Sequence, residues 1–153
     1  MANDLELIWS QDDQACILSF ENNDLVTSRS LLTPVLVSLF TDARANNSDA
    51  LPDSGNLDQR GWWGDATNLD KSGDTVGSRL WLIERAKNLE SVLADAKEYI
   101  EEALQWMIDE GIATTIDVLT EAQGSTLAFR VSITKPGNTT ESYKFEQEWR
   151  ATV

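Results

Sequence analysis

The chain has 153 residues, with 12 Lys and Arg against 26 Asp and Glu and a formal charge of -14, which opposes nucleic-acid phosphates and anionic lipid heads, so neither nucleic acid nor membrane is an expected partner. No histidine is present, and this excludes Ser-His-Asp and Cys-His nucleophile pairs, imidazole acid–base chemistry and His-containing zinc sites. The length suits one domain over residues 1–153, able to hide roughly two-thirds of its unfolded surface.

The N-terminus lacks a basic segment leading into an apolar run, and no apolar stretch reaches bilayer length, so a soluble protein made in the cytoplasm is expected. Leu5 to Trp9 and Ala15 to Phe20 are apolar runs separated by Ser10-Gln11-Asp12-Asp13-Gln14, which predicts a small N-terminal hairpin. Cys16 is the one cysteine, so no internal disulfide can form, and its apolar neighbours predict a packed thiol. Thr33-Pro34 then opens a helix, with Thr33 as cap and Leu36, Leu39, Phe40 and Ala43 recurring at helical spacing to about Arg44.

Residues 46–78 show no sustained period, and a loop of this length in a compact domain is functional or anchored. It holds Arg60-Gly61-Trp62-Trp63-Gly64-Asp65, and Gly77-Ser78-Arg79-Leu80-Trp81 closes it. Exposed tryptophans forgo substantial burial energy, so these rings either tuck into the chain's own core or form a docking surface.

Leu80 to Lys87 allows a helical turn or two. Asn88 is positioned to cap the main helix, whose Leu89, Val92, Leu93, Ala96, Ile100, Ala103, Leu104 and Met107 make one apolar stripe, with Gly111 as terminator. Glu90, Asp95, Glu98, Glu101 and Glu102 fill the other face as a solvated surface.

Beyond Gly111 the apolar period becomes two: Ile112, Ile116 and Val118, then Leu127, Phe129, Val131 and Ile133, then Tyr143, Phe145 and Trp149. Turn chemistry at Gln123-Gly124-Ser125 and Lys135-Pro136-Gly137-Asn138 predicts an antiparallel meander whose apolar face the helix covers. The fold class is α+β: a C-terminal meander packed against helices, with a small N-terminal hairpin.

Charge is uneven along this chain. Acids outnumber bases ten to three over residues 1–60 and seven to one over 88–111, whereas 61–87 and 112–153 are nearly neutral. Near-neutral, aromatic-rich surface suits protein contact.

Asp70-Lys71-Ser72-Gly73-Asp74 begins like a calcium loop, but Thr75 stands where the turn needs glycine and Trp81 where the bidentate glutamate belongs. The glycines fit neither a dinucleotide fingerprint nor a phosphate loop. No metal or cofactor is expected. Two other readings stay open: a carboxylate-dependent cell-wall glycosidase, since 26 acids offer many pairs, and an acidic DNA mimic.

Leu39-Phe40-Thr41-Asp42-Ala43-Arg44-Ala45, Leu51-Pro52, Arg60-Gly61-Trp62-Trp63-Gly64-Asp65, Gly77-Ser78-Arg79-Leu80-Trp81-Leu82 and Ala103-Leu104-Gln105-Trp106 together resemble the phage Mu gene-46 product family, similar in turn to the gene-25-like baseplate proteins. The resemblance runs through most of the chain. It implies a contractile-tail baseplate wedge subunit without catalytic turnover: six copies around the tail tube, bound to larger wedge proteins and presenting a platform for the first ring of tail sheath. It places the assembled protein in the virion baseplate. Distant relatives often carry Trp-Glu-Pro-Arg at the end of the main helix; this chain has Trp106-Met107-Ile108-Asp109, so that element's contacts are not carried over.

Within that frame Trp62, Trp63 and Trp81 either lock the loop onto the helices or bury against a wedge partner, beside Asp65 and with Arg60 and Arg79 as partners for carboxylates. The last strand, Tyr143 to Arg150 with Tyr143, Phe145 and Trp149, is the expected edge for β-strand addition by a neighbour.

Overall fold

The computed structural model describes residues 3–67, 75–86 and 89–148. The fold is α+β. Its C-terminal sheet is an antiparallel meander of β7 (Thr115–Gln123), β8 (Thr126–Thr134) and β9 (Thr140–Glu148), with β8 central. Register pairs Val118 with Val131 and Phe129 with Phe145, and alternation puts Leu127, Phe129, Val131 and Ile133 fully on the buried face. The β7–β8 turn is Gly124-Ser125, with Gly124 at φ 63°, the sign a II′ hairpin turn requires at its first central position.

Helix α2 (Leu89–Asp109) lies against this face through Val92, Ala96, Ile100, Leu104 and Met107. Leu89, expected in the stripe, is exposed. The helix ends as its glycine predicts: Gly111, at φ 71°, donates its N–H to Ile108 O, and Ile112 donates to Met107 O, the paired bonds of a Schellman motif. The proposed cap, Asn88, lies outside the described residues.

Helix α1 (Leu32–Phe40) buries Val35, Leu36 and Leu39 in the same core, with Pro34 in its first turn, where a missing N–H costs nothing. Thr33 is inside the helix and does not cap it. Its hydroxyl donates to Leu5 O at 2.7 Å and accepts Leu7 N–H at 3.0 Å, tying the N-terminal strands to the helix. At the helix start the Leu31 N–H is met from far away, by Glu141 on β9 at 3.0 Å, while Ser30 Oγ accepts the Leu32 N–H at 3.4 Å. The helix also stops earlier than its pattern suggests. Thr41 turns extended because residues 41–43 pair with Ser78, through Ser78 N–H to Thr41 O and Ala43 N–H to Ser78 O, both 2.9 Å.

The N-terminal hairpin is present as β2 (Leu7–Ser10) against β3 (Ala15–Leu18), but it is one arm of three. β4 (Phe20–Glu21) pairs with β5 (Asp24–Leu25) through an Asn22-Asn23 turn, and β1 (Asp4–Leu5) pairs with β6 (Thr27–Ser28). Asn22 and Asn23 both have positive φ, which a I′ turn demands and asparagine tolerates. The arms meet in a ring of backbone bonds: Glu6 N–H to Val26 O, Val26 N–H to Ser19 O and Ser19 N–H to Glu6 O, at 2.8–3.0 Å.

Trp9 of β2 stacks on Phe40 at 4.0 Å, and Phe40 meets Phe145 edge-on at 5.6 Å, so an aromatic cluster joins hairpin, helix and sheet. Cys16 lies partly buried beside it, and burial raises its thiol pKa.

Candidate functional site

The long loop is anchored at both ends, and the anchors explain its sequence. After α1 the chain runs extended past Ala43 and Ala45. Ala45 N–H donates to Gln59 O at 2.9 Å, drawing the far part of the loop back, while the Ser78 hydroxyl donates to Leu39 O at 2.5 Å. Gly77 makes this closure possible: its φ is 111°, and a Cβ there would stand 2.4 Å from Thr41 O and 2.9 Å from Ala43 N, both backbone atoms.

Leu80–Arg85 is a short 3-10 helix whose first four residues are all buried. Leu80 and Ile83, three apart and hence on one side, enter the main core. Trp81 and Leu82 turn the other way into a second cluster with Ala45, Leu51 and Tyr99. The Trp81 indole N–H donates to Ala43 O at 2.8 Å. Trp81 is therefore internal packing that seats the loop.

The two motif arginines are clamps of similar design. Arg60 lies 4.4 Å over the Trp81 ring, pairs with Asp42 at 2.9 Å and reaches Glu84 at 3.7 Å. Arg79 lies 4.6 Å over Tyr99, engages Asp49 at 3.0 Å and Glu102 at 2.6 Å, and is far more enclosed. Burial works against the Arg79 charge, but its bonds to Glu102 and Asp49 outweigh that and hold the guanidinium protonated above its usual range. Each planar cation thus joins an aromatic face to two carboxylates, a combination suited to arginine.

What these anchors present is the tryptophan pair. Trp62 is 41 % exposed and Trp63 76 %, their rings 5.4 Å apart. Gly64 is buried under the Trp62 ring; a Cβ there would come within 2.1 Å of it. Trp63–Thr67 forms a 3-10 turn, with Thr67 Oγ1 donating to Gly64 O at 2.8 Å. Asp65 accepts the Val76 N–H at 3.2 Å, tying that turn to the end of the loop. Leu57, which the sequence pattern did not single out, is 87 % exposed on the same loop.

Of the other expected contact residues, Phe145 is buried in the core and Tyr143 partly buried against it. Tyr143 donates its hydroxyl to Glu141, and burial together with that carboxylate pushes its pKa up. Trp149, Arg150 and the calcium-like stretch 70–74 lie outside the described residues. The structure therefore joins Arg60 to Trp81, seats Arg79 on Tyr99 beside the same second cluster, ties the Trp62–Trp63–Asp65 turn to Val76, and leaves Tyr143 and Phe145 on the sheet. Asp42, Asp49, Glu84, Glu102 and Tyr99, which complete the clamps, carry no local signal, because they lie 18 to 30 residues from the arginines they engage.

An open cleft of about 750 Å³ lies between hairpin, α1, the 3-10 helix and the end of β9. Its walls include Trp9, Phe40 and Trp81, and of its carboxylates Asp42, Glu84 and Glu148 the first two are those that Arg60 engages. Among the described residues no cluster of three or more potential metal ligands occurs.

A family model described as phage protein GP46 matches residues 31–140. The chain is 40 % identical over 145 residues to the baseplate protein gp46 of Escherichia phage Mu, covering 94 % of each. It is also 34 % identical over 148 residues to the Mu-like prophage FluMu protein gp46 of Haemophilus influenzae, covering 96 % of this chain and 98 % of that one.

Proposed function

The chain belongs to the phage protein GP46 family, and from that premise we propose that it is a structural subunit of a contractile-tail baseplate, a wedge protein whose assembled ring helps to nucleate the tail sheath. The near-full-length similarity to the phage Mu baseplate protein supports the baseplate role. The observation that carries a role in assembly is the Trp62–Trp63 pair, held out to solvent on a loop whose described parts two arginine clamps and a backbone closure tether to the helices. Exposed aromatic surface on a tethered support binds with little ordering cost, and aromatics dominate interface energetics.

In this reading Trp62, Trp63 and Asp65 face a neighbouring wedge protein, and Arg60, Arg79 and Trp81 hold them in place. Tyr143 and Phe145 fix β9 from its inner side, while its outer edge offers backbone groups for strand addition. Six copies in a ring would combine weak contacts with tube, wedge and sheath subunits through effective concentration. The proposed role requires no catalytic turnover. The protein would be made in the bacterial cytoplasm and end in the virion baseplate.

Electron microscopy of lysates from a deletion strain tests this. Tails that fail to nucleate sheath are expected; complete sheathed tails without the chain would overturn the proposal.

A further inference from the structure

The charged side chains between residues 41 and 67 are engaged within the chain, with one exception. That stretch holds five acids, Asp42, Asp49, Asp53, Asp58 and Asp65, and two bases, Arg44 and Arg60. Arg60 holds Asp42 and Arg79 holds Asp49. Asp53, Asp58 and Asp65 accept the backbone N–H groups of Gly55, Arg60 and Val76. Arg44 is the exception: it is exposed, and among the described residues neither a carboxylate nor an aromatic ring lies against its guanidinium. In a chain with 26 acids an unpaired arginine is a product of arrangement, because the acids nearest to it in sequence, Asp42 and Asp49, are taken by the two clamps.

Gly61 fixes where that cation stands. A Cβ on Gly61 would come 3.0 Å from Arg44 Cβ and 3.4 Å from Arg44 Cα, so the backbone one residue before Trp62 rests directly on the arginine's stem. The stem is thus pinned beside the tryptophan pair while the residue remains exposed. Trp and Arg are the residues most enriched at interface hot spots, and here an unpaired guanidinium adjoins two exposed indoles. A carboxylate that meets such an arginine gains two parallel charge-assisted bonds, and the neighbouring rings keep water from them.

Resting on the reading of the tryptophan pair as a docking surface, we infer that Arg44 is the polar anchor of that surface and that its occupant is a segment of another baseplate protein in which an Asp or Glu adjoins apolar side chains. The apolar part covers the indoles, and the carboxylate fixes the register through the guanidinium. The charge of -14 decides among the anions that could meet Arg44. A nucleic acid or an anionic bilayer brings many charges and is repelled as a whole, and a second copy brings another -14. A single carboxylate on a neutral or basic neighbour meets no such barrier. Lys or Arg in its place is rejected by like charge, so the contact selects as well as binds.

A tail-producing strain deleted for the chain and complemented from a plasmid provides the test, with sheathed tails counted by electron microscopy. Arg44→Glu should lower the count about tenfold or more, and the purified variant should melt with the wild type, since this arginine has no bond to lose. Arg130→Glu makes the same change of charge at another exposed arginine and should stay within about twofold. Arg44→Lys keeps the charge without the fork and should stay within about threefold. Its new amine also permits carbodiimide coupling, which joins an amine directly to a carboxylate in contact with it. Mass spectrometry of coupled Arg44→Lys tails should find position 44 linked to an Asp or Glu of another baseplate protein, with the native Lys97–Glu101 pair, 3.8 Å apart, as internal control. Should that variant build too few tails to couple, Arg44→Glu against Arg130→Glu decides. Linkage to a second copy of this chain, no linkage at position 44 where the control couples, full rescue by Arg44→Glu or an equal loss with Arg130→Glu each overturns the inference. Sheathed tails in the deletion strain itself would remove the baseplate reading as well, whereas rescue by Arg44→Glu where Trp63→Ala fails removes this inference alone.

Discussion

The side-chain amide of Gln14 lies along the outer edge of β9 in the manner of a short strand: its Oε1 accepts the Glu148 N–H at 3.2 Å while its Nε2 points to Glu146 O at 3.5 Å. The hairpin tip thus closes the end of the edge on which strand addition is proposed, and by alternation the outward backbone groups nearer the turn are those of Ser142 and Lys144. A neighbour's strand would pair there first. Lys144→Pro removes an outward N–H without touching the ladder to β8. The variant is expected to melt cooperatively yet lose capture of purified wedge partners; undiminished capture would remove β9 as the acceptor edge.

Two tryptophans of the same region should behave in opposite ways. Trp81→Ala empties a buried site and loses the bond to Ala43 O, costing about 3–5 kcal/mol in urea denaturation. Trp63→Ala, on an exposed ring, should change stability by no more than about 0.5 kcal/mol. The same variant should fail to support tail assembly. A large stability loss at Trp63 would assign that ring to the core.

Gly77→Ala forces a Cβ onto Thr41 O at 2.4 Å, in a backbone region that L residues avoid. Neither atom is the end of a flexible side chain, so relief must come from moving the loop closure. A destabilisation of about 2 kcal/mol or more is expected, read as a lower denaturant midpoint.

Arg79→Ala leaves Asp49, whose side chain is 13 % exposed, facing Tyr99 without its cation. The expected loss is about 3 kcal/mol. Lysine should recover only part of it, since it lacks the planar fork that reaches both carboxylates while stacking on the ring. Differential scanning calorimetry of the pair of variants checks the order.

Glu141 supplies the pH dependence. Burial opposes its ionisation, but the Leu31 N–H, Lys135 and Tyr143 all donate to the carboxylate and keep its pKa below the ordinary 4.5. A carboxyl with a depressed folded-state pKa contributes stability that is present above its unfolded pKa and lost as pH falls through the folded value. Stability should therefore decline below about pH 4.5, and Glu141→Gln should flatten that acid limb while lowering stability at neutral pH. An unchanged acid limb in the variant would contradict this.

Legibility in the sequence followed the range of the interactions involved. The meander, the α2 stripe and its Gly111 stop were readable because period-two and helical spacing, turn residues and C-caps act within a few positions. Thr33 misled for the same reason: its sequence context resembles a local cap, yet its hydroxyl is taken by Leu5 and Leu7, and the Leu31 N–H at the helix start is met from β9. Phe40 was placed on the correct helix, but the extended turn after it depends on Ser78, 38 residues on.

By itself the sequence determined that this protein is α+β, that it lacks imidazole chemistry, that it carries a large negative charge and that a glycine-framed tryptophan pair marks its long loop. Those are properties of composition and nearest neighbours. Tertiary structure decided which aromatics are packing and which are surface: Trp81 is buried and Trp63 exposed although both stand in similar glycine-bearing motifs. It also matched Arg60 and Arg79 to distant carboxylates and turned the apolar N-terminal residues around a shared junction. Such outcomes depend on contacts between segments far apart in the chain, and burial is a property of the folded surface that no short window of sequence contains.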